Sequence, residues 1–527
     1  MKQRKILLLE PNYKNKYPPM GIMKIATYYR CRGDDVRFYK GDLKLFAAQL
    51  LFEECIAVAA NSGLLVDKTI HSFALKRGPA KLIEYIKTGK HAPLETIAAF
   101  SCSTNNTDEC TVKELLKALV VYRDRYKKED YPKFDRVGVT TLFTFYWKET
   151  INTILFAKKL CKSEKGVHVG GIAASLVPEC IHRETEIYPH IGLLSEPFAY
   201  DKDKKGNVII DELPLDYSIL DEIEYKYPTA NAYFGYMTRG CVNHCPFCSV
   251  PVLEPTYCDY IGIKSKIQKI DECFGAKKDL LLMDNNVFAS KCFNKIIDEI
   301  RECGFAKGAY FTPSSEYDIA FRNLCEGFKL GEGRTRNVFN DRAYFKKLVG
   351  IYDAITERLE GEERGNFYNE RESLALLYAE TATKESIKAF HETAKSLYDK
   401  FFKRNQRIRF IDFNQGLDCR LANDEKMQKI SEIAIRPLRI AFDHWDMKDT
   451  YKSAIIAAEK HGIRDMSNYL LYNRDDHPNE LYERMRMNVE LCETLKIAIY
   501  SFPMKYHPID DEEYFRNRDY IGQPHWN

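Results

Sequence analysis

Thr238-Arg239-Gly240-Cys241-Val242-Asn243-His244-Cys245-Pro246-Phe247-Cys248, read TRGCVNHCPFC, places three cysteines at C-x3-C-x2-C. Just upstream, residues 231–237 (NAYFGYM) read as a short aromatic strand, so the cysteines fall in the loop leaving its carboxyl end. Three thiolates folded back on one another can hold three irons of a 4Fe-4S cluster. The fourth iron is then left without a protein ligand, and an open coordination position is what a catalytic metal centre keeps. A zinc knuckle completed by His244 or Cys258 is the alternative. Structural zinc sites usually join two C-x2-C-type pairs a dozen or more residues apart, and the chain has no second pair.

These residues resemble the radical S-adenosylmethionine (SAM) superfamily, whose signature is this spacing with an aromatic residue, here Phe247, just before the last cysteine. The resemblance implies a cluster bound by Cys241, Cys245 and Cys248, with SAM chelated on the open iron. It also implies reductive cleavage of SAM to methionine and a 5′-deoxyadenosyl radical, with electrons from a donor such as flavodoxin or ferredoxin. The cofactor supplies the hard chemistry and the protein orients and shields it.

The length of 527 residues allows two or three domains, and 45% hydrophobic with 29% charged residues fits ordinary globular cores. A net charge of +3 is too mild to indicate nucleic acid. No apolar run approaches a membrane span, and the opening MKQRKILLLEPN meets Glu10 and Pro11 too early for a secretory signal. The remaining cysteines are scattered singly, which suits a reducing cytoplasm better than a disulfide framework.

Lys5 to Glu10, Asp35 to Tyr39, Val137 to Phe143 and Val167 to Ile172 read as strands, with helices at Ile22 to Tyr29 and Lys148 to Cys161 between them. His190 to Leu194 reads as a fifth strand. This is a Rossmann-like α/β unit with an open parallel sheet over residues 1–215, interrupted by a helical insertion at about 43–133. Asp201 to Asn207 reads as a hairpin tip.

This first half resembles the cobalamin-binding domain that precedes many radical SAM domains, through the PPMG turn at 18–21, the VHVGG turn at 167–171 and Ala173 to Pro178. The resemblance implies a corrinoid over the carboxyl ends of the strands, with Gly170 and Gly171 letting a large ring approach. The D-x-H-x-x-G motif is absent, and Ser195-Glu196-Pro197 stands where a glycine- and glutamate-rich turn is expected. A Rossmann-like unit kept for packing or substrate is the other reading.

Over residues 216–527 the resemblance implies a partial (β/α)6 barrel, with its site at the carboxyl ends of the strands. Strand two, Asp279 to Met283, ends in Asp284-Asn285-Asn286, where the family places groups near the SAM amino nitrogen; an Asx turn is the alternative for Asp284 and Asn286. Arg407 to Phe413 leads into Asn414-Gln415-Gly416-Leu417-Asp418-Cys419-Arg420. That run, IDFNQGLDCR, resembles strand three of cobalamin-type radical SAM enzymes. It implies that Asn414, Gln415, Asp418 and Arg420 contact the cofactor. An internal Asp418–Arg420 ion pair fixing the loop is the alternative.

Strands four to six are expected at Leu438 to Phe442, ending in Asp443-His444-Trp445, at Met466 to Tyr472 and at Ile497 to Ser501. Between strands two and three a second helical insertion, about 306–405, reads as a cap over the mouth, a solvated layer or a partner surface. His525 and Trp526 imply a docked tail or a longer natural chain.

If a corrinoid binds, the family implies methyl transfer to an unactivated carbon or phosphorus; nothing in the sequence names the substrate. A tRNA methylthiotransferase is an alternative that needs three more cluster cysteines. A non-catalytic Fe-S or zinc module docking a partner is the alternative from another class.

Overall fold

In the computed structural model, residues 3–61, 78–90, 109–197, 200, 207–331, 336–506 and 508 are described. Four parallel strands form the first sheet: β1 (Lys5–Leu9), β2 (Asp35–Tyr39), β3 (Arg136–Thr141) and β4 (Val167–Gly171), in the order β2-β1-β3-β4. Side chains alternate across a strand, so Ile6 and Leu8 share one core with Ile22, Met23 and Ala26 of helix Met20–Cys31. Leu7 and Leu9 join Phe46 of helix Leu43–Asn61 and Ile154 of helix Trp147–Leu160 on the other face. Both faces are covered, as a parallel sheet requires.

The expected fifth strand at His190 to Leu194 is not a strand. The His190 N–H reaches the Val169 carbonyl at 2.7 Å, but the chain then turns away at Gly192 (φ +79°), whose N–H goes to Ser175 Oγ. Ile191 is left exposed. The insertion between β2 and β3 contains helices Leu43–Asn61, Pro79–Thr88 and Glu109–Lys127, packed on one another.

The second half contributes β5 (Ala232–Gly235), β6 (Asp279–Leu282), a short antiparallel ribbon of β7 (Tyr310–Phe311) and β8 (Arg407–Ile408), then β9 (Ile411–Phe413), β10 (Leu417–Asp418), β11 (Leu438–Ala441), β12 (Asp465–Tyr472) and β13 (Ala498–Lys505). β5-β6-β9 and β10-β11-β12-β13 are parallel sheets whose strands follow sequence order. β9 and β10 lie on one run of chain, broken at residues 414–416, where Gly416 takes φ +90°. No closed barrel forms among the described residues. The apolar core does not stop at residue 215: Leu215, Tyr217 and Ile219 join Leu8 and Tyr233 in one cluster.

Among the described residues, the second insertion meets the amino-terminal ends of the strands rather than capping their carboxyl ends. It leaves and rejoins the chain through the β7–β8 ribbon, just ahead of β9. Arg409 donates to the carbonyls of Lys277 (2.8 Å) and Lys278 (3.0 Å), which precede β6. Arg342, on helix Asp341–Thr356, pairs at 2.6 Å with Asp35, the first residue of β2. The insertion therefore sits at the amino-terminal end of the first sheet, and the chain just after its ribbon sits at that of β6.

Among the described residues no helix is long and apolar enough to cross a membrane. The expected hairpin tip, apart from Asn207, and the terminal His525 and Trp526 lie outside the described residues.

Candidate functional site

The cysteine loop leaves the carboxyl end of β5, and side chains from neighbouring strand ends hold it. Asp284, beyond β6, is fully buried. Its carboxylate accepts from the Met237 N–H (3.0 Å), the Thr238 N–H and the Thr238 hydroxyl (2.7 Å). Burial pushes its carboxyl up to about 6, against those hydrogen bonds. Asp284 is thus the clamp of the loop's first turn, its carboxylate turned to Met237 and Thr238.

Glu254 holds the next turn. It accepts from Arg239 Nε (2.6 Å), the Gly240 N–H (2.8 Å) and Asn285 Nδ2 (2.9 Å). Gly240 sits at φ +70°, and a Cβ there would stand 2.7 Å from the Thr256 carbonyl oxygen. Only glycine lets this backbone approach occur without strain. Arg239 and Cys258 exchange N–H···O bonds of 3.1 and 2.8 Å, which brings the exposed Cys258 beside the loop.

The half-buried thiols follow. The Asn243 N–H points at Cys241 Sγ (3.4 Å), the Val250 N–H at Cys248 Sγ (3.5 Å), and the Cys248 N–H bonds the Cys245 carbonyl (3.0 Å). Burial first, then the charges of Asp443 and Cys241, pushes the Cys245 thiol up; burial, then Cys245 and Cys241, does so for Cys248. The three sulfurs therefore share one electrostatic neighbourhood. Three thiols on one loop, with amides directed at two of them, form a donor set that fits a thiolate-ligated cluster. Among the described residues no three His, Cys, Asp or Glu side chains stand ready-made around one metal position.

Asp418, on β10, meets the loop through Asn243, whose Nδ2 donates at 2.9 Å. Arg420 wraps back on Asp418 with two bonds of 2.8 Å. Burial works against the Asp418 charge, but Arg420 and Asn243 hold its carboxyl below the usual range. The internal ion pair thus forms, with the Arg420 side chain half exposed. Phe247 stands between His444, edge-on with ring centres 5.9 Å apart, and the Arg474 guanidinium, 5.4 Å from its ring centre.

Asn414 is also committed. Its side-chain oxygen accepts from Tyr17 (2.7 Å), its Nδ2 faces Met283 Sδ, and its carbonyl accepts from Tyr469 (2.9 Å). Gln415 beside it is exposed. Asn286 differs from all of these: it is 2% exposed and neither its Oδ1 nor its Nδ2 has a partner. Asn473, after β12, is fully buried at φ +70° and shares that state. Buried amides without partners call for an explanation.

Gly170 and Gly171 lie at the carboxyl end of β4, and helix Ile172–Leu176 after them packs on helix Val250–Leu253 after the cysteine loop. A Cβ at Gly171 would stand 2.4 Å from the Thr141 carbonyl oxygen, so packing against β3 already requires this glycine. Gly170 has nothing closer than 3.8 Å. The structure thus brings together Cys241, Cys245, Cys248, Phe247, Asp284, Asp418 and Arg420. The sequence reading missed Glu254, Asn243, Arg474, Asn473 and Tyr17; of these only Asn243 lay inside the stretch that signalled the loop.

No protein-family model matches the chain, and no curated protein matches it.

Proposed function

We propose that the chain is a radical SAM enzyme in which Cys241, Cys245 and Cys248 hold a 4Fe-4S cluster with one open iron. The observation that carries this reading is the anchored cysteine loop at the carboxyl end of β5, held by Asp284, Glu254 and Asp418, with amides directed at Cys241 and Cys248. When bound, the cluster supplies one electron to SAM and releases methionine and a 5′-deoxyadenosyl radical. The strand ends of β6, β10, β11 and β12 fix the loop. The partnerless amides of Asn286 and Asn473 supply neutral donors and acceptors for the polar end of SAM. Phe247, packed by His444 and Arg474, shields one side of the thiols. Two parallel sheets with strands in sequence order, β5-β6-β9 and β10-β11-β12-β13, support a partial barrel around this site. The described cysteines carry free thiols, which fits a reducing cytoplasm and a flavodoxin- or ferredoxin-like electron donor.

One observation favours a second reading. Cys258 lies across from Arg239, on backbone bridged to the loop, and is the candidate fourth thiol. A closed four-thiol site would be structural.

The test is anaerobic reconstitution with iron and sulfide, reduction with dithionite, addition of SAM and quantification of 5′-deoxyadenosine. Wild type is expected to form it, Cys258→Ala to retain both iron and product, and the Cys241→Ala/Cys245→Ala/Cys248→Ala variant to lose both. Loss of metal in Cys258→Ala, with no SAM cleavage and no SAM-induced change in the EPR signal of the wild type, sinks the proposal.

A further inference from the structure

We propose, resting on the radical SAM reading, that the first sheet is a fixed wall of the reaction chamber rather than a corrinoid carrier. Tyr17 is the positioning residue that ties this wall to the third strand of the second half. Ligands of open α/β sheets bind beyond the carboxyl ends of the strands, where the strand order reverses. In the order β2-β1-β3-β4 that point lies between β1 and β3.

The protein's own side chains fill the carboxyl ends on both sides of β1, from β2 across to β3. Glu10 follows β1 and Lys40 follows β2; each is 2% exposed, and they pair at 3.0 Å. The Lys40 ammonium lies 4.9, 4.1 and 5.1 Å from the ring centres of Tyr13, Tyr225 and Tyr227. Tyr227 and Asn15 also donate to Glu10. Tyr13 in turn stacks on Tyr146, beyond β3, with ring centres 5.2 Å apart. A corrin ring over these strand ends has to displace the Tyr13–Tyr146 stack and disturb the buried Glu10–Lys40 pair, and uncompensated buried charge is strongly destabilising. Of the two glycines whose missing side chains suggested room for a ring, Gly171 is already explained by Thr141, and Gly170 alone has open space.

The loop that seals the point then crosses to the other half. Asn15 is held by Tyr225 in both directions, its N–H donating at 2.7 Å and its carbonyl accepting at 2.6 Å. Two residues on, Tyr17 packs edge-on against Phe234 of β5 and donates to Asn414 at 2.7 Å. Asn414 opens the break between β9 and β10, and β10 presents Asp418 to Asn243 of the cysteine loop. Tyr17 thus acts on the loop through Asn414 and Asp418, and touches no thiol itself.

Two measurements on the full chain decide this. In the first, purified protein is incubated with hydroxocobalamin and desalted, and the visible absorption of the protein fraction is read. No corrinoid is expected to remain; stoichiometric retention overturns the proposal. This arm needs no radical chemistry, so it stands even if the wild type cleaves no SAM. In the second, Tyr17→Phe keeps the ring contact and removes only the hydroxyl. Its iron content is expected to match wild type, while KM for SAM rises roughly fivefold at unchanged kcat, the loss of one hydrogen bond. The EPR response of the reduced cluster is then expected to need correspondingly more SAM. A Tyr17→Phe protein indistinguishable from wild type in both readouts overturns the positioning role.

Discussion

The Thr238 hydroxyl donates to Asp284 Oδ1 at 2.7 Å, and neither residue has any exposed surface. Removing the carboxylate leaves that hydroxyl and the N–H groups of Met237 and Thr238 buried without partners. Asp284→Ala is expected to cost about 3 kcal/mol or more, from at least two stranded donors. Denaturant midpoints measure the loss. Reconstituted iron should fall in parallel, because the turn that launches the cysteine loop is no longer fixed.

The same carboxyl gives a pH signature. Its folded value of about 6 lies above its ordinary 3.8. A raised carboxyl contributes stability that is fully present below about 3.8 and is lost as pH rises through about 6. The stability gap between wild type and Asp284→Asn, measured without metal, should therefore shift against wild type across that window, by up to about 3 kcal/mol. A gap that stays flat, or shifts the other way, contradicts the burial argument.

Gly240 and Gly262 form a matched pair. Gly240→Ala places a methyl group 2.7 Å from the Thr256 oxygen at φ +70° and is expected to destabilise by about 2 kcal/mol and reduce iron uptake. Gly262→Ala meets nothing closer than 3.5 Å and is expected to leave both unchanged. Thermal melts and iron analysis on the two variants check this.

Asn286 should separate stability from binding. Its buried amide has no partner, so Asn286→Leu, of similar shape, is expected to be neutral or stabilising by about 1 kcal/mol. If the amide serves SAM, the same variant raises KM for SAM about fivefold or more. A variant that unfolds, or that binds SAM normally, contradicts the assignment.

Gly171→Ala forces a shift of β3 or β4, because its Cβ lands 2.4 Å from the Thr141 oxygen at φ +118°. A loss of about 2 kcal/mol or more is expected. Gly170→Ala next to it has room and should change stability by less than about 0.5 kcal/mol. Chemical denaturation of the two proteins decides it.

Local chemistry was legible in the sequence and tertiary commitment was not. The cysteine loop announced itself because ligand spacing is a property of adjacent residues. β1 announced itself as an apolar run, and β2 and β4 as short alternations with Val36, Phe38, Val167 and Val169 buried. Asp284 and Asn414 were visible as polar groups at strand ends, but a residue that waits for a ligand and one that anchors a loop have the same letter. Only the partners, Thr238 and Tyr17, distinguish them. His190 to Leu194 looked like a strand by composition, yet Gly192 turns it out of the sheet. The side on which residues 306–405 sit was likewise invisible, since it depends on Arg342 reaching Asp35 across more than three hundred residues.

That reach has a kinetic consequence. Arg30, near the start of the chain, lies 2.8 Å from both Asp216 and Glu222 and donates to the Phe339 carbonyl at 2.9 Å. Asn340 then closes on Ser218 and Glu222. During synthesis the first sheet emerges early, and Arg30 can meet Val36, Asp216 and Glu222, but its bond to the Phe339 carbonyl waits until the second insertion leaves the ribosome. Contacts of such high sequence separation form late and slowly. The final seating of the two halves should therefore be the slow phase of refolding, and the nascent first half a natural client for chaperones.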